Sequence, residues 1–261
     1  GAYSDTEEVV DMNGMTDVDW QLLDSAGNPS TLGTIDKATG ELTTGADEGE
    51  LTVVASYPDA GEASVKVNVV TPIDPMEYVC GHEIDNTDLE NAKGACLKVA
   101  TDSSGNWFTN SPSKAVMDAL GYSQDSTETN SGKTYAYISI KPGDGLTDPI
   151  GGVFAQFRHD GPDTEVNSQI GRWCQDLAAM SFAGKSDWQL PTKDQLIGLY
   201  NKYSGSANGL FTARGWPATY HNYWTSTVGG YQSHWKIKLS NGVTGTSSDD
   251  TSMWASCVSN P

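Results

Sequence analysis

The sequence lacks the features that mark membrane proteins and nucleic-acid-binding proteins. No segment of its 261 residues is apolar over about eighteen consecutive positions, so we expect no direct insertion into a membrane. Basic residues are scarce, since 15 lysines and arginines stand against 34 acidic residues. The net charge of −19 argues against nucleic acid as a partner and favours a self-repelling surface.

Motifs for metal binding are also missing. No two cysteines form a CxxC pair, so neither a zinc ribbon nor a thioredoxin-like site is supported. Acidic residues cluster at 144–148, 160–165 and 249–250, but none of these loops has EF-hand spacing. We interpret them as solvated loop acids and predict no metal site and no cofactor.

Catalytic motifs find equally little support. His159 stands beside Asp160, and His82 beside Glu83, but no serine or cysteine nucleophile is placed near either pair by a motif. We therefore predict that the protein is not an enzyme.

Four cysteines are present, and the even number in an acidic chain rich in Gly, Ser, Thr and Asn indicates two disulfides and an oxidising compartment. Three pairings are possible. We favour Cys80 with Cys96, which closes a short loop, and Cys174 with Cys257, which closes a long one. In the chain-entropy model the long loop stabilises by about 4 kcal/mol. Four buried free thiols are the alternative.

The length predicts two domains, and the first is all-β. Apolar and polar residues alternate at 18–22, 51–55 and 65–69, with turn residues between these runs, which is typical of a small β-sandwich. The first 71 residues hold 14 acidic and 2 basic residues, so most of the net charge of −19 lies there. Pro72 and Pro75 indicate a short, stiff boundary, with the second domain at 76–261.

The second domain reads as α+β. Helices are predicted at 111–121, at 164–180, where Cys174 lies on or beside the apolar face, and after Thr192, which forms a capping box with Gln195. Strands are predicted at 97–101, 134–140, 153–158, 223–227, 235–239 and 253–258. Asn241-Gly242 is a strong hairpin signal.

The first domain resembles a known repeat. Asp19-Trp20, then residues 33–36, 39–44 and 49–55, are similar to the bacterial immunoglobulin-like repeats of surface adhesins. Those repeats typically show a strand tryptophan, a Thr-Ile-Asp…Gly turn and a strand that ends in alanine. The resemblance implies an immunoglobulin-like sandwich over residues 1–71 that serves as a spacer.

The second domain resembles the C-type lectin-like fold in its bacterial form. The resemblance rests on Trp188-Gln189-Leu190-Pro191-Thr192, Tyr223-Trp224-Thr225-Ser226-Thr227 and the terminal Cys257-Val258. It covers residues 160–261 well and 76–160 poorly. Invasin- and intimin-like adhesin tips share this pattern, follow an immunoglobulin-like repeat, and pair a helix cysteine with one near the C-terminus, which implies Cys174 with Cys257.

The resemblance implies a function. It implies an adhesin tip at the bacterial cell surface, in the extracellular part of an outer-membrane-anchored protein, that binds a protein or peptide of a host or neighbouring cell. We expect a monomer. A glycan-binding lectin and a structural module without its own ligand are the alternatives. Formylglycine-generating enzymes share the fold, but their reactive cysteine pair has no match here.

The candidate ligand-binding residues are aromatic and polar, because aromatic rings, Arg and Asn are favoured in recognition surfaces. Calcium-dependent lectins use Glu-Pro-Asn or Gln-Pro-Asp loops and a Trp-Asn-Asp strand, none of which occurs in this sequence. We place Trp188, Trp224 and Trp235 in the core. For Trp216, Tyr220 and Tyr231, ligand contact and core packing stay open. The predicted ligand-binding set is Arg214, Trp216, Tyr220, His221, Asn222, Tyr231 and His234.

Overall fold

The structure is a computed structural model that describes residues 2–3, 9–10, 17–45, 47–58, 61–69, 76–161, 167–218 and 221–261. The chain divides into two compact units, Gly1–Ile73 and Asp74–Pro261. The predicted boundary at 71–75 lies outside the described residues and stays a prediction. Within the described ranges, no helix is long and apolar enough to cross a membrane.

The first unit contains antiparallel strands. A central strand, β6, pairs with β3 on one side and β7 on the other, while β1 pairs with β2 and β4 pairs with β5. The strands are β1 (Ala2–Tyr3), β2 (Val9–Val10), β3 (Asp19–Leu23), β4 (Gly33–Ile35), β5 (Leu42–Thr44), β6 (Gly49–Tyr57) and β7 (Gly61–Val69).

The turn between β4 and β5 is fixed by one carboxylate and one ring. Asp36 accepts hydrogen bonds from the backbone N–H groups of Ala38 and Thr39. Gly40 closes the turn at a φ of 71°, and a Cβ at this position would lie 2.6 Å from the ring of Trp20. Only glycine fits, because the backbone is left-handed and the indole leaves no room for a side chain.

Replacing this glycine tests the packing. Gly40→Ala should destabilise the first unit by about 1–2 kcal/mol for the left-handed backbone, and by about 1–3 kcal/mol more for the clash with Trp20. Gly27→Ala is the matched control, since its φ is 82° but nothing lies within 4 Å of its Cβ position. Equal losses in urea unfolding of the two variants would show that the ring does not constrain the turn.

The second unit is β-rich with few helices. Its helices are α1 (Lys114–Ala119), α2 (Gln169–Ala179), α3 (Lys193–Tyr203) and α4 (Gly209–Arg214), and 3₁₀ turns occur at Cys80–His82, Asn91–Lys93 and Phe182–Gly184. Its strands are β8 (Val99–Thr101), β9 (Trp107–Thr109), β10 (Ser123–Gln124), β11 (Thr134–Tyr135), β12 (Tyr137–Ile138), β13 (Ala155–Phe157), β14 (Tyr223–Gly230), β15 (Ser233–Ile237), β16 (Thr244–Ser248), β17 (Met253–Trp254) and β18 (Val258–Ser259).

A six-stranded sheet in the order β12-β13-β17-β14-β15-β16 separates two cores. Successive strand residues point to opposite faces. Trp224 lies in a core cluster with Trp173 and Cys174 of α2. Its neighbour Tyr223 lies in the other cluster, with Leu196 and Leu199 of α3. The sheet is therefore covered by helices on both faces. A smaller sheet has the order β18-β9-β8, and β10 pairs with β11 in parallel.

Side-chain caps set the beginnings of both long helices. The hydroxyl of Ser168 accepts from the backbone N–H of Gly171 at the start of α2. Thr192 and Gln195 form the predicted capping box at the start of α3. The helix predicted at 164–180 is thus observed as Gln169–Ala179, and residues 162–166 lie outside the described ranges.

Two predicted strands are each split between sheets. The strand predicted at 134–140 divides at Ala136, because Thr134 and Tyr135 pair with β10 while Tyr137 and Ile138 pair with β13. The strand predicted at 253–258 divides at residues 255–257. There, the backbone N–H groups of Ala255 and Cys257 donate to the hydroxyls of Ser111 and Thr109 instead of to a neighbouring strand.

Two disulfides join Cys80 to Cys96 and Cys174 to Cys257, which are the favoured pairings. They span 16 and 83 residues of chain. The longer one links α2 to the segment between β17 and β18.

We expect the two crosslinks to contribute unequally. Replacing Cys174 and Cys257 together by alanine should cost about 4 kcal/mol, against about 3 kcal/mol for Cys80 and Cys96, because the longer loop restricts the unfolded chain more. Urea unfolding of the two double variants measures this order, with intact mass confirming the remaining disulfide. The reverse order would contradict the loop-length argument.

Candidate functional site

Trp216 packs in the core. Its side chain is fully buried in the cluster that includes Leu210, Tyr223 and Trp254, and its ring centroid lies 6.4 Å from that of Tyr223. Of the two alternatives left open for this ring, the structure shows the buried one. Trp188 and Trp224 are also buried, whereas Trp235 is half-buried, with the Lys193 ammonium 4.5 Å from its ring centroid.

Arg214, at the end of α4, is held by the carboxylate of Asp85 and by the ring of Tyr203. Its Nε lies 3.2 Å from Asp85 Oδ1, and its guanidinium carbon lies 5.2 Å from the centroid of the Tyr203 ring. Asp85 also accepts hydrogen bonds from the Tyr203 hydroxyl and from Thr101. Arg214 is therefore tied into a polar network with Asp85, Thr101 and Tyr203.

Asp85 is the acceptor at the centre of this network. Burial raises the pKa of its carboxyl, but the hydrogen bonds from Thr101, Tyr203 and Arg214 outweigh burial and leave the pKa below its ordinary value of 3.8. The ionised form is therefore the one that the fold stabilises.

His221 and Asn222 lie immediately before β14. His221 Nε2 lies 3.0 Å from Gln156 Nε2, and the His221 ring meets Trp254 edge-on at 5.1 Å. Burial, and then Lys238, lower the pKa of His221 below 6.5. The carbonyl of Asn222 accepts from the backbone N–H of Trp254. Tyr220 lies outside the described residues.

Tyr231 and His234 belong to the hairpin of β14 and β15. Tyr231 is 92% exposed in its turn. His234 is buried, stacks on His159 with ring centroids 3.6 Å apart, and has Nδ1 2.7 Å from Asp249 Oδ1. The predicted residues thus have different neighbours, and the structure does not gather those it describes around one cleft.

The buried histidine, His159, has a strongly altered pKa. Burial, followed by the adjacent His234, lowers it from 6.5 to about 4. Atoms of His159, His234 and Asp249 that are able to ligate a metal lie within 4.8 Å of one another.

A loop whose acidic residues 144–148 were predicted to be solvated also carries the two most exposed aliphatic side chains among the described residues, Ile140 and Leu146. This 140–152 loop joins β12 to β13 and presents Ile140, Leu146 and Ile150, which are 93%, 74% and 61% exposed. Ile140 was predicted as the last residue of the strand at 134–140, but that strand ends at Ile138. Leu146 and Ile150 stand singly among Gly and Pro, and no pattern in the sequence indicates that they are exposed.

Hydrogen bonds hold the 140–152 loop in shape. The N–H of Gly143 donates to the carbonyl of Gly152, and the N–H of Gly151 donates to the carbonyl of Gly143. The carboxylate of Asp144 accepts from the N–H groups of Leu146 and Thr147. The apolar side chains therefore stand on an ordered support.

The 140–152 loop is tied to two other segments. Buried Asp148 accepts from the backbone N–H of Ala218 at 2.9 Å, in the segment that follows α4. The carboxylate of Glu90 accepts from the backbone N–H of Ile150, and the ammonium of Lys93 donates to the backbone carbonyl of Ile150. The loop, the 90–93 turn and the segment after α4 form one joined region.

Comparison with known proteins identifies the second half of this unit. Residues 156–258 match the family model described as an adhesion domain, InvE_AD, which covers less than half of the chain. The solved structure of the Yersinia pseudotuberculosis adhesin InvE is similar at 14% identity and a TM-score of 0.37. That alignment covers 93% of this chain and 60% of that one. A comparison with curated proteins finds no match.

Residues 156–258 are therefore an adhesion domain. Within that class the domain is of the invasin/intimin type, as its tryptophan pattern and paired cysteines predicted. An adhesion domain indicates a role in binding.

The Asp85 network predicts a pH dependence. Since the folded-state pKa of Asp85 is below 3.8, its stabilising effect is present above that pH and is lost as the pH falls through the folded-state value. Asp85→Asn should cost about 1–3 kcal/mol at pH 7. The difference in the free energy of unfolding between wild type and Asp85→Asn should narrow below about pH 4. Asp118→Asn, at an exposed acid, should change stability by less than about 0.5 kcal/mol. Urea titrations from pH 7 to 2 measure both, and a gap independent of pH would refute the assignment.

Proposed function

We propose that this adhesin binds a protein on a host or neighbouring cell through its second unit, at the bacterial cell surface. In this proposal residues 1–71 form an immunoglobulin-like spacer, residues 76–261 form a C-type lectin-like domain, and the chain acts as a monomer. The match to an adhesion domain supports the general role, and the 140–152 loop supports the choice of a protein partner.

The observation that carries the proposal is the exposure of Ile140, Leu146 and Ile150 on a hydrogen-bonded loop. An aliphatic side chain left in water loses the roughly 1.5–3 kcal/mol that its burial would supply. A patch held in a fixed shape loses little conformational entropy when a partner covers it. Exposed apolar patches with polar rims are typical of protein-binding surfaces.

The chemistry of the loop favours a protein over a sugar. Sugar recognition by the residues first predicted would need exposed rings, but Trp216 is buried and His221 is half-buried. Aliphatic side chains provide apolar area without hydrogen bonds, which suits a protein surface. The net charge of −19 further favours a basic partner, whose approach the field of the chain would accelerate.

One observation keeps the glycan alternative open. Tyr231 is almost fully exposed in the β14–β15 turn, where its ring is free to stack on a sugar face. In that case the binding surface would be the hairpin turn and not the 140–152 loop.

Substitutions in the loop test the protein-binding proposal. The double variant Ile140→Ser, Leu146→Ser should weaken binding of the labelled 261-residue chain to cultured epithelial cells by about 10- to 30-fold, as the loss of an apolar hot spot does. Val243→Ser is the matched control, because Val243 is an exposed aliphatic residue of the same unit, outside the loop. Flow cytometry at graded concentrations gives the affinities.

The outcome separates the candidates. Protein binding predicts that mild protease treatment of the cells abolishes attachment, that a chelator leaves it unchanged, and that Tyr231→Ser has little effect. A glycan ligand predicts that Tyr231→Ser weakens attachment to the cells. It also predicts binding to a glycan array with calcium present. Attachment that is neither saturable nor changed by any of these variants would leave a structural module as the remaining interpretation.

A further inference from the structure

Three side chains from separate segments meet beside the β14–β15 hairpin. His159 follows β13, His234 lies in β15, and Asp249 follows β16. Their nitrogen and oxygen atoms lie within 4.8 Å of one another. Two imidazoles and one carboxylate are a donor set that suits zinc and related divalent transition metals.

The donor set includes a buried nitrogen without a partner. His159 is 97% buried (3% exposed), and its Nδ1 has no hydrogen-bond partner among the residues that the structure describes. An unpaired polar atom in this position is unfavourable, because it has lost its hydrogen bonds to water. The unpaired Nδ1 therefore indicates that a bound ligand supplies the missing contact.

The other ring nitrogen of His159 fixes the tautomer. Nε2 lies 3.2 Å from the carbonyl oxygen of Thr225, which only accepts hydrogen bonds, so Nε2 carries the proton. Nδ1 of the neutral ring is then the atom with the free lone pair. A ring N–H donated to a backbone carbonyl is the usual second contact of a histidine that binds a metal through its other nitrogen.

An irregularity in β14 makes the Thr225 contact available. The register with β15 shifts between Trp224 and Val228. Within this bulge the N–H of Ser226 donates to the carbonyl of Pro191, in the segment before α3. The bulge turns backbone groups away from the strand ladder, as bulges beside functional sites do.

The backbone holds the three segments together. The N–H of His159 donates to the carbonyl of Asp249 at 2.9 Å, and the N–H of Asp249 donates to the carbonyl of Gln232 at 3.1 Å. The backbone positions of the three residues are thus set before any ion binds.

The cluster borders an acidic cleft of about 330 Å³ through Asp249, and Glu128, Asp160 and Asp250 also line this cleft. Its negative charge would concentrate cations at the mouth of the cluster. A second cleft of about 320 Å³ lies behind His159, beside Cys174 and Trp188.

We propose that His159, His234 and Asp249 bind one Zn²⁺ ion, with Nδ1 of His159, a ring nitrogen of His234 and the Asp249 carboxylate as protein ligands and a water molecule from the acidic cleft as the fourth. The two imidazole planes are 6° from parallel, so their lone pairs do not meet at one point. Binding therefore turns the His234 ring out of the stack and replaces its hydrogen bond to Asp249 by coordination.

The ion would crosslink three strand ends at the hairpin that presents Tyr231. Zinc binding would thereby order this hairpin relative to the sheet. This role is independent of the protein-binding surface proposed for the 140–152 loop, so either proposal stands or fails without the other.

Titration of the chelator-treated 261-residue chain with Zn²⁺ tests the site. We expect a one-to-one complex with a micromolar or lower Kd by calorimetry. We also expect a rise in Tm of about 5 °C at a hundredfold excess over Kd. His234→Gln and Asp249→Asn should each weaken binding at least tenfold. Asp250→Asn is the matched control, because Asp250 lines the same cleft outside the cluster, and it should bind as wild type does.

Two further measurements separate coordination from folding effects. The Tm of each variant without metal shows whether the fold is intact, and Co²⁺ should give a visible absorption band in wild type that both ligand variants lose. Absence of saturable one-to-one binding would overturn the proposal and leave Nδ1 of His159 to a buried water. Zinc binding that neither His234→Gln nor Asp249→Asn changes would overturn it equally.

Discussion

Burial of the middle of the six-stranded sheet on both faces, at β13, β17 and the first residues of β14, is the constraint on which the second unit depends. Because neighbouring strand residues alternate, Tyr223 packs under α3 while Trp224 packs under α2. The Cys174–Cys257 disulfide joins α2 to the chain beyond β17 and restricts one of these layers covalently. With both faces occupied, a partner has access to the loops and strand ends, and both proposed surfaces lie there.

This constraint also explains why the aromatic residues are poor guides to the binding surface. Large aromatic rings bury the most apolar area per residue, so they pack in the two cores on either side of the sheet. Trp216 packs in one of these cores, and Arg214 contacts Asp85 and Tyr203. Apart from Tyr231, the most exposed large apolar side chains of the described part of the second unit are aliphatic, and Ile140 and Leu146 of the 140–152 loop are the foremost of them. Recognition by the second unit would then depend on that loop and not on an aromatic pocket.

The His159 cluster places a polar group in the interior. A buried imidazole with one unpaired nitrogen is unfavourable unless something completes it, yet three segments and a strand bulge converge to hold it there. The arrangement makes sense if an ion supplies the missing contact. The adjoining acidic cleft, which a single sequence presents only as scattered loop acids, would then serve to attract that ion.

The sequence by itself determined the local features: the capping box at Thr192, the turn that follows residues 33–36, the two apolar helices, the favoured cysteine pairs and the tryptophan pattern of the adhesion domain. Each depends on neighbours within a few residues or on a recognisable motif. Only the tertiary structure decided that Trp216 is buried, that Ile140 and Leu146 are exposed, and that His159 meets His234 and Asp249. Those facts depend on contacts between residues up to ninety positions apart, on the order of a whole domain, and no local periodicity encodes them.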